Sequence, residues 1–286
     1  MKDYPHDEFF KYLFSLMPVA QAFLVEFLPD DLLSCFDLDT LVSDETAYIT
    51  PELAAMYSDK VFRCKLQPVR GKPFAVAIAF LLEHKSFAPQ YPHFQLNEYR
   101  QRIWSSLVAN RQRPIAVLPI VLYHGRSKWT KRILPSYFGP LPASLRPYIG
   151  DFDYYLVDLS QLSDERLLSL RLGFLGYGLL TMKHSQDKKY LESQMKVIFE
   201  QGEAFLKTDE GRTFVETLFV YYTRITDLNE QVLKEKIIST MTHDMQSLTL
   251  STYDRAIAKG KLEGKLEGKL EGKLEQSILF AKKLVT

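Results

Sequence analysis

Cysteine is scarce in this chain: its 286 residues hold two, Cys35 and Cys64. Two thiols build no disulfide framework and cannot close a zinc site by themselves. Long apolar runs are missing as well. The longest, Phe74 to Leu82, falls far short of the ~20 residues that span a bilayer. The opening MKDYPHDEFF carries acids where a secretory signal has a basic and then an apolar stretch. A soluble, cytosolic protein is therefore expected. There is no phosphate-binding glycine loop, no zinc-finger spacing and no serine-hydrolase elbow. Net charge is almost absent too, at +1. Taken alone, that value argues against a nucleic-acid partner, since such proteins are often strongly basic.

What is present is ordinary globular material, with 46% hydrophobic and 25% charged residues. The length suits one compact domain plus an appended segment. Charge, however, is unevenly spread. Met1 to Ser58 carries net −9, Asp59 to Gly150 net +12, and the remainder net −2. Tyr99 to Gly150 contains no acid, yet holds Arg100, Arg102, Arg111, Arg113, Arg126, Lys128, Lys131, Arg132 and Arg146. One reading is a solvated face balanced by the acidic N-terminal segment. The other is a surface that tracks phosphates, because a polyanion responds to local potential rather than to net charge.

Periodicity gives an order of elements. Asp7 to Leu28 has helical spacing at Phe9, Phe10, Leu13, Phe14 and Leu16, with Asp7 as a cap and Pro18 starting a second helical piece. Glu45–Thr50, Asp59–Gln67 and Phe74–His84 read as strands, the last two joined through a hairpin at Pro68–Pro73. Gln95–Asn110 reads as a helix. Ile115–Tyr123 reads as a buried strand in which Pro119 marks an edge or bulge. Lys128–Gly150 is proline-rich and irregular, and Tyr154–Leu159 is a further strand. From Ser163 to about Ala258 the pattern is helical. Residues 260–275 repeat GKLE four times, giving a leucine stripe along a helix that each glycine weakens. That tail reads either as a flexible low-complexity segment or as a pairing helix for a second copy of the chain, a homo-oligomer.

The stretch that carries chemistry is LLEHKS, Leu81–Ser86. On a strand Glu83 and Lys85 share a face, and His84 opposes them. If the strand beginning at Asp59 is its antiparallel neighbour, Asp59 comes close to Glu83 and Lys85. Two close carboxylates call for a cation, and hard oxygen ligands select Mg²⁺ or Mn²⁺. The backbone carbonyl of His84 can add a ligand. Metal-bound water attacks phosphorus, and Lys85 can orient that water or stabilise the developing charge. Asp59, Glu83 and Lys85 outline a phosphodiesterase site; a plain surface salt bridge is the alternative.

Five motifs in order resemble a known family: PHDEFFKYLF (Pro5–Phe14), SDKVF (Ser58–Phe62), LLEHKS, YRQRIW (Tyr99–Trp104) and PIVLYHG (Pro119–Gly125) with Trp129 following. They resemble the Rpn family of bacterial recombination-promoting nucleases, also labelled transposases, which is similar to the PD-(D/E)xK nucleases. The resemblance implies an α/β, restriction-endonuclease-like mixed sheet flanked by helices, with a helical C-terminal region. It implies a nuclease-like core at 1–160, a helical region at 161–258 and a tail at 259–286. It further implies a Mg²⁺-dependent (or Mn²⁺-dependent) DNA endonuclease, cytoplasmic and nucleoid-associated, acting in DNA recombination or mobile-element biology. Asp59, Glu83 and Lys85 match the catalytic positions, with Asp59, Glu83 and the His84 carbonyl holding the metal. Many relatives carry glutamine where this chain has Lys85, and Ser58 stands where the superfamily motif has proline. A non-catalytic DNA-binding or assembly protein that keeps the fold is the alternative.

Tyr99, Arg100, Arg102, Arg111, Arg113, Arg126 and Lys128 are the candidate DNA contacts, Tyr99 and Arg102 sharing one helix face. Trp104 suits the core better. His6 and His124 can contact phosphate or move protons, but lone histidines are more often surface or hydrogen-bonded residues. Asp7 and Glu8 are possible extra ligands, with Asp7 better read as a cap. Cys64 reads as a buried structural residue, and Asp158 either caps the following helix or tunes the site.

Overall fold

The computed structural model describes residues 5–43, 60–67, 75–80, 88–199, 202–226, 228–258 and 261. By internal contacts the chain forms two compact units, Met1–Gln194 and Met195–Thr286. The first is mixed α/β with small sheets, the second helical. The core boundary expected at residue 160 falls inside the first unit.

The chain opens with α1 (Pro5–Leu13) and α2 (Met17–Phe27), bent at 90° to each other. Pro18 lies in the first turn of α2, where its missing N–H costs nothing. Asp7 and Glu8 lie in the first turn of α1, so Asp7 favours the helix dipole from inside rather than capping it from outside. The apolar faces carry Phe9, Phe10, Leu13, Phe14, Val19, Ala20, Phe23 and Leu24 into the core. Among the described residues no single helix is long and apolar enough to cross a membrane.

After the short α3 (Asp30–Leu33) come β1 (Phe36–Ser43), β2 (Lys60–Leu66) and β3 (Ala75–Phe80), an antiparallel sheet in the order β1-β2-β3. β1 escaped the sequence reading because its FDLDTLVS alternation breaks midway. The ladder shows why: the register shifts between Asp37 and Val42, which is a bulge. Thr40 Oγ1 holds that bulge, donating to the Asp37 carbonyl at 2.6 Å and accepting from the Lys65 N–H at 2.9 Å. Cys64 is buried against it, its Sγ 3.1 Å from the same carbonyl, so the structural reading of this cysteine holds. Burial pushes its thiol up. The strand expected at Glu45–Thr50, the hairpin at Pro68–Pro73 and the GKLE repeat, apart from Lys261, lie outside the described residues.

α4 (Pro92–Ala109) crosses from this sheet to β4 (Ile120–Tyr123), which pairs in parallel with β5 (Tyr155–Asp158). The expected strand Ile115–Tyr123 is shortened to its last four residues. Pro119 stands immediately before the first, where no ladder N–H is needed, and its carbonyl accepts from Tyr155 at 2.9 Å. One face of α4 puts Ile103 and Leu107 on Val61 of β2; another puts Leu96 and Tyr99 against Val121, Tyr123, Trp129 and Tyr154. The irregular link to β5 holds a 3-10 turn, Leu134–Phe138, and a single helical turn, α5 (Arg146–Ile149).

β5 leads through another 3-10 turn into α6 (Asp164–Leu168), α7 (Gly173–Lys183) and α8 (Lys188–Ser193). α7 is buried along most of its length. A Cβ on Gly178 would stand 2.8 Å from a Leu13 methyl, and one on Gly176 would stand 2.5 Å from the Leu167 carbonyl oxygen. The two glycines let α1 and α6 approach α7 closely. The second unit contains α9 (Met195–Phe199), α10 (Gly202–Phe205), α11 (Asp209–Thr226), α12 (Glu230–Thr240) and a helix through 243–258. Its core gathers Phe199, Phe214, Leu218, Phe219, Tyr222, Leu233 and Ile237.

Candidate functional site

The antiparallel partnership expected of the second and third strands is present. Lys60 pairs with Phe80, Val61 with Ala79 and Phe62 with Ile78. In sequence, Asp59 precedes Lys60 by one position and Glu83 follows Phe80 by three. The strand ends that flank the candidate acids are thus cross-strand neighbours, about 5 Å apart by the geometry of an antiparallel pair. Asp59, Glu83, His84 and Lys85 themselves lie outside the described residues. Among the described residues no group of three or more His, Cys, Asp or Glu side chains is placed to hold a metal ion.

The candidate DNA contacts separate into two classes. Tyr99 is in the core, packed with Leu96, Tyr123 and Tyr154; a side chain at that depth presents no surface to a phosphate, which corrects the expectation for it. Arg100 is half-buried, its guanidinium 4.1 Å from the Phe152 ring centroid and 4.8 Å from that of Trp104. Burial lowers its pKa, but a guanidinium stays charged, so Arg100 acts here as a cation sandwiched between rings. Arg102 is paired with Glu98 one helical turn earlier. Arg111, Arg113, Arg126 and Lys128 are exposed. Arg111 follows the end of α4 with a left-handed φ of 57°, a conformation uncommon for a residue with a Cβ. Arg126 reaches the backbone carbonyl of Gln186.

Two family motifs meet at the N-terminus of α1. The rings of His6 and His124 are 5.1 Å apart. His124, directly after β4, is buried, with its Nδ1 3.3 Å from Ser185 Oγ. It is a hydrogen-bonded core histidine, as lone histidines usually are. Asp158 is resolved between its two readings: its carboxylate accepts from the Ser160 N–H and from the Trp129 N–H, both at 2.9 Å. It caps the turn after β5 and fixes Trp129 into the core. Trp104 is half-buried and donates from Nε1 to the Ile115 carbonyl.

Two further clusters escaped the sequence reading. Asp164 accepts from Lys183 Nζ at 2.6 Å, His184 Nε2 at 2.8 Å and Tyr190 Oη at 2.5 Å. His184 stacks on Tyr190 with ring centroids 3.6 Å apart. Burial raises the Asp164 carboxyl, but the donors outweigh it and bring the pKa down to about 2. Burial and the adjoining carboxylate push Tyr190 up. The residues are up to 26 positions apart, and no local motif announces them. The second cluster is aromatic. Tyr91, Phe94, Tyr137 and Phe138 group at the start of α4, above a fully buried His93 whose Nδ1 is 2.8 Å from Tyr137 Oη. Burial lowers the His93 pKa.

A family model described as "Putative transposase, YhgA-like" matches residues 4–211, a span that includes all five motifs. The inactive recombination-promoting nuclease-like protein RpnE of Escherichia coli (strain K12) is 26% identical over 202 residues, which is 64% of this chain and 60% of that protein. The recombination-promoting nuclease RpnA of the same organism is 27% identical over 122 residues, 42% of this chain and 40% of that protein. The chain therefore spans less than two thirds of the length of either relative. No solved structure matches. With most of its length under the family model, the chain belongs to the family described as "Putative transposase, YhgA-like", and it resembles the Rpn proteins.

Proposed function

We propose that this protein is a metal-dependent DNA endonuclease with a restriction-endonuclease-like core, hydrolysing phosphodiester bonds in DNA recombination or mobile-element biology. The observation that carries the proposal is the antiparallel register of β2 on β3, with Lys60 opposite Phe80. That register makes Lys60 and Phe80 neighbours at one end of the strand pair, and in sequence Asp59 directly precedes Lys60 while Glu83 and Lys85 follow Phe80 by three and five positions. The name of RpnA, a recombination-promoting nuclease, agrees with this chemistry.

Two carboxylates and a backbone carbonyl, from Asp59, Glu83 and His84, are hard oxygen donors, and such a set fits Mg²⁺ or Mn²⁺. An ion of this kind, when bound, activates water and neutralises charge on a phosphate. Lys85 supplies a cation that orients the attacking water and steadies charge on the phosphoryl oxygens. Arg111, Arg113, Arg126 and Lys128, all exposed, hold the flanking phosphates and set the register of the DNA.

Purified protein incubated with supercoiled plasmid and Mg²⁺ or Mn²⁺ tests the proposal. The wild type is expected to nick it. Asp59→Ala and Glu83→Ala should lower the rate at least ~100-fold, as loss of a metal-centred step does. Cleavage left unchanged by both substitutions removes the site assignment. A second reading, a non-catalytic DNA-binding or assembly protein, is favoured by one observation: the relative RpnE is named inactive. That reading predicts salt-dependent binding with no cleavage under either metal.

A further inference from the structure

The aromatic cluster at the start of α4 is not used by the chemistry above, and it reaches the surface. Tyr91 is 41%, Phe94 51% and Phe138 45% exposed. Their ring centroids are linked through Tyr137, at 5.2 Å to Tyr91 and 5.9 Å to Phe94, with Phe94 and Phe138 6.3 Å apart. The cluster is built rather than incidental. His93 is buried beneath it and touches Tyr137, Phe152 and Tyr154 ring to ring. The Arg132 guanidinium lies 4.9 Å from the Tyr137 ring centroid. Beside it runs a groove of about 680 Å³ lined by Ile133, Pro135, Ser136, Arg146, Gly150 and Asp151 among others. Along the chain, Tyr137 and Phe138 lie between Ser136 and Gly139 of the groove wall.

Charge decides what suits this surface. Lys131 is paired with Asp153, and Asp151 is on the groove wall. Among the described residues no carboxylate pairs with Arg132 or Arg146. The segment that supplies the 3-10 turn and most of the groove is part of the acid-free run Tyr99–Gly150. Exposed rings next to the Arg132 guanidinium, with Arg146 on the adjoining groove wall and neither arginine paired with a described carboxylate, match a ligand that alternates flat π-faces with anionic phosphates, which is single-stranded nucleic acid. In a duplex those faces are stacked on one another and cannot be reached.

We infer that Tyr91, Phe94 and Phe138, with Arg132 and Arg146, form a stacking platform for unpaired bases of single-stranded DNA. The platform rests on the DNA reading above and adds a preference for unpaired substrate.

Fluorescence anisotropy with a labelled 20-nucleotide single strand and the corresponding duplex tests it, in a chelator so that no cleavage occurs. Phe94→Ala and Phe138→Ala are each expected to weaken single-strand binding about tenfold while changing duplex binding less than twofold. Phe94→Tyr, which keeps a π-face, should bind as the wild type does. Independently of any variant, a strand with abasic positions should bind the wild type about tenfold more weakly than an intact strand. Equal losses on both probes, no loss on either, or an abasic strand that binds normally overturns the platform. So does an alanine variant whose mass in solution falls from dimer to monomer, which marks the rings as a contact between copies. Wild type that binds neither probe overturns the DNA reading together with the platform; duplex binding with inert alanine variants removes the platform alone.

Discussion

The carboxylate of Asp164 joins α6 to α7 and α8 through Lys183, His184 and Tyr190. Its pKa falls from the ordinary 3.8 to about 2, and a group whose folded pKa is depressed stabilises the fold above its unfolded pKa. That stability, about 2 kcal/mol, is lost as pH falls from near 4 through about 2. Asp164→Asn should destabilise the wild type by about 1–3 kcal/mol at pH 6. The gap should narrow toward pH 2, where about half of the wild-type carboxyls are protonated, and close only below it. Urea midpoints at both pH values check this; a gap that does not shrink shows that the charge is not what holds the three helices. At the same scale, sequence reasoning was accurate where the signal was local. Pro18 and Cys64 follow from their own neighbours, whereas Trp104, read as core, is half-buried against it. Tyr99 does not follow from its neighbours: three residues from Arg102, it was placed on the same face, whereas its ring turns into the core and Arg102 turns to Glu98. Helical spacing says which residues share a face, and only the packing of Tyr123, Trp129 and Tyr154 says which face is inside.

At the level of elements, the strands bracketing the candidate site were legible because alternation in β2 and the apolar run in β3 are strong signals. β1 was not, because its bulge interrupts the alternation that identifies a strand. The close crossing of α6 on α7 also escaped notice, since GFLGYGLL does not reveal what each glycine faces. The contact fixes a prediction. A methyl at Gly176 would stand 2.5 Å from the Leu167 carbonyl, a backbone atom that can move only with the whole of α6. Alanine raises helix propensity by about 1 kcal/mol, yet overpacking at this point costs about 1–3 kcal/mol. Gly176→Ala should therefore lower the melting temperature. At Gly178, by contrast, the neighbour is the end of the Leu13 side chain, which can rotate. Gly178→Ala should cost less than Gly176→Ala in the same thermal melts, and the reverse order would mean that α6 yields more easily than Leu13.

Across the whole molecule, a net charge of +1 hides a block of +12 between Asp59 and Gly150. The described part of that block places Arg111, Arg113, Arg126 and Lys128 at the surface and keeps Arg100 between rings. An average over the chain cannot reveal this, because attraction to a polyanion depends on charges within a Debye length of about 8–10 Å. The surface cations give the proposed DNA interface a measurable signature. Each phosphate neutralised releases counterions and contributes about −0.9 to the slope of log affinity against log salt on duplex DNA. Four such contacts predict a slope of roughly −4. Replacing both Arg111 and Arg113 by Gln should make it shallower by about 2, and by the same amount on unrelated sequences, since phosphate contacts carry no base information. Titrations over 50–200 mM salt with two duplexes of different sequence measure it. A flat salt response, or a slope that the double substitution leaves unchanged, places the phosphates elsewhere than on the surface that follows α4.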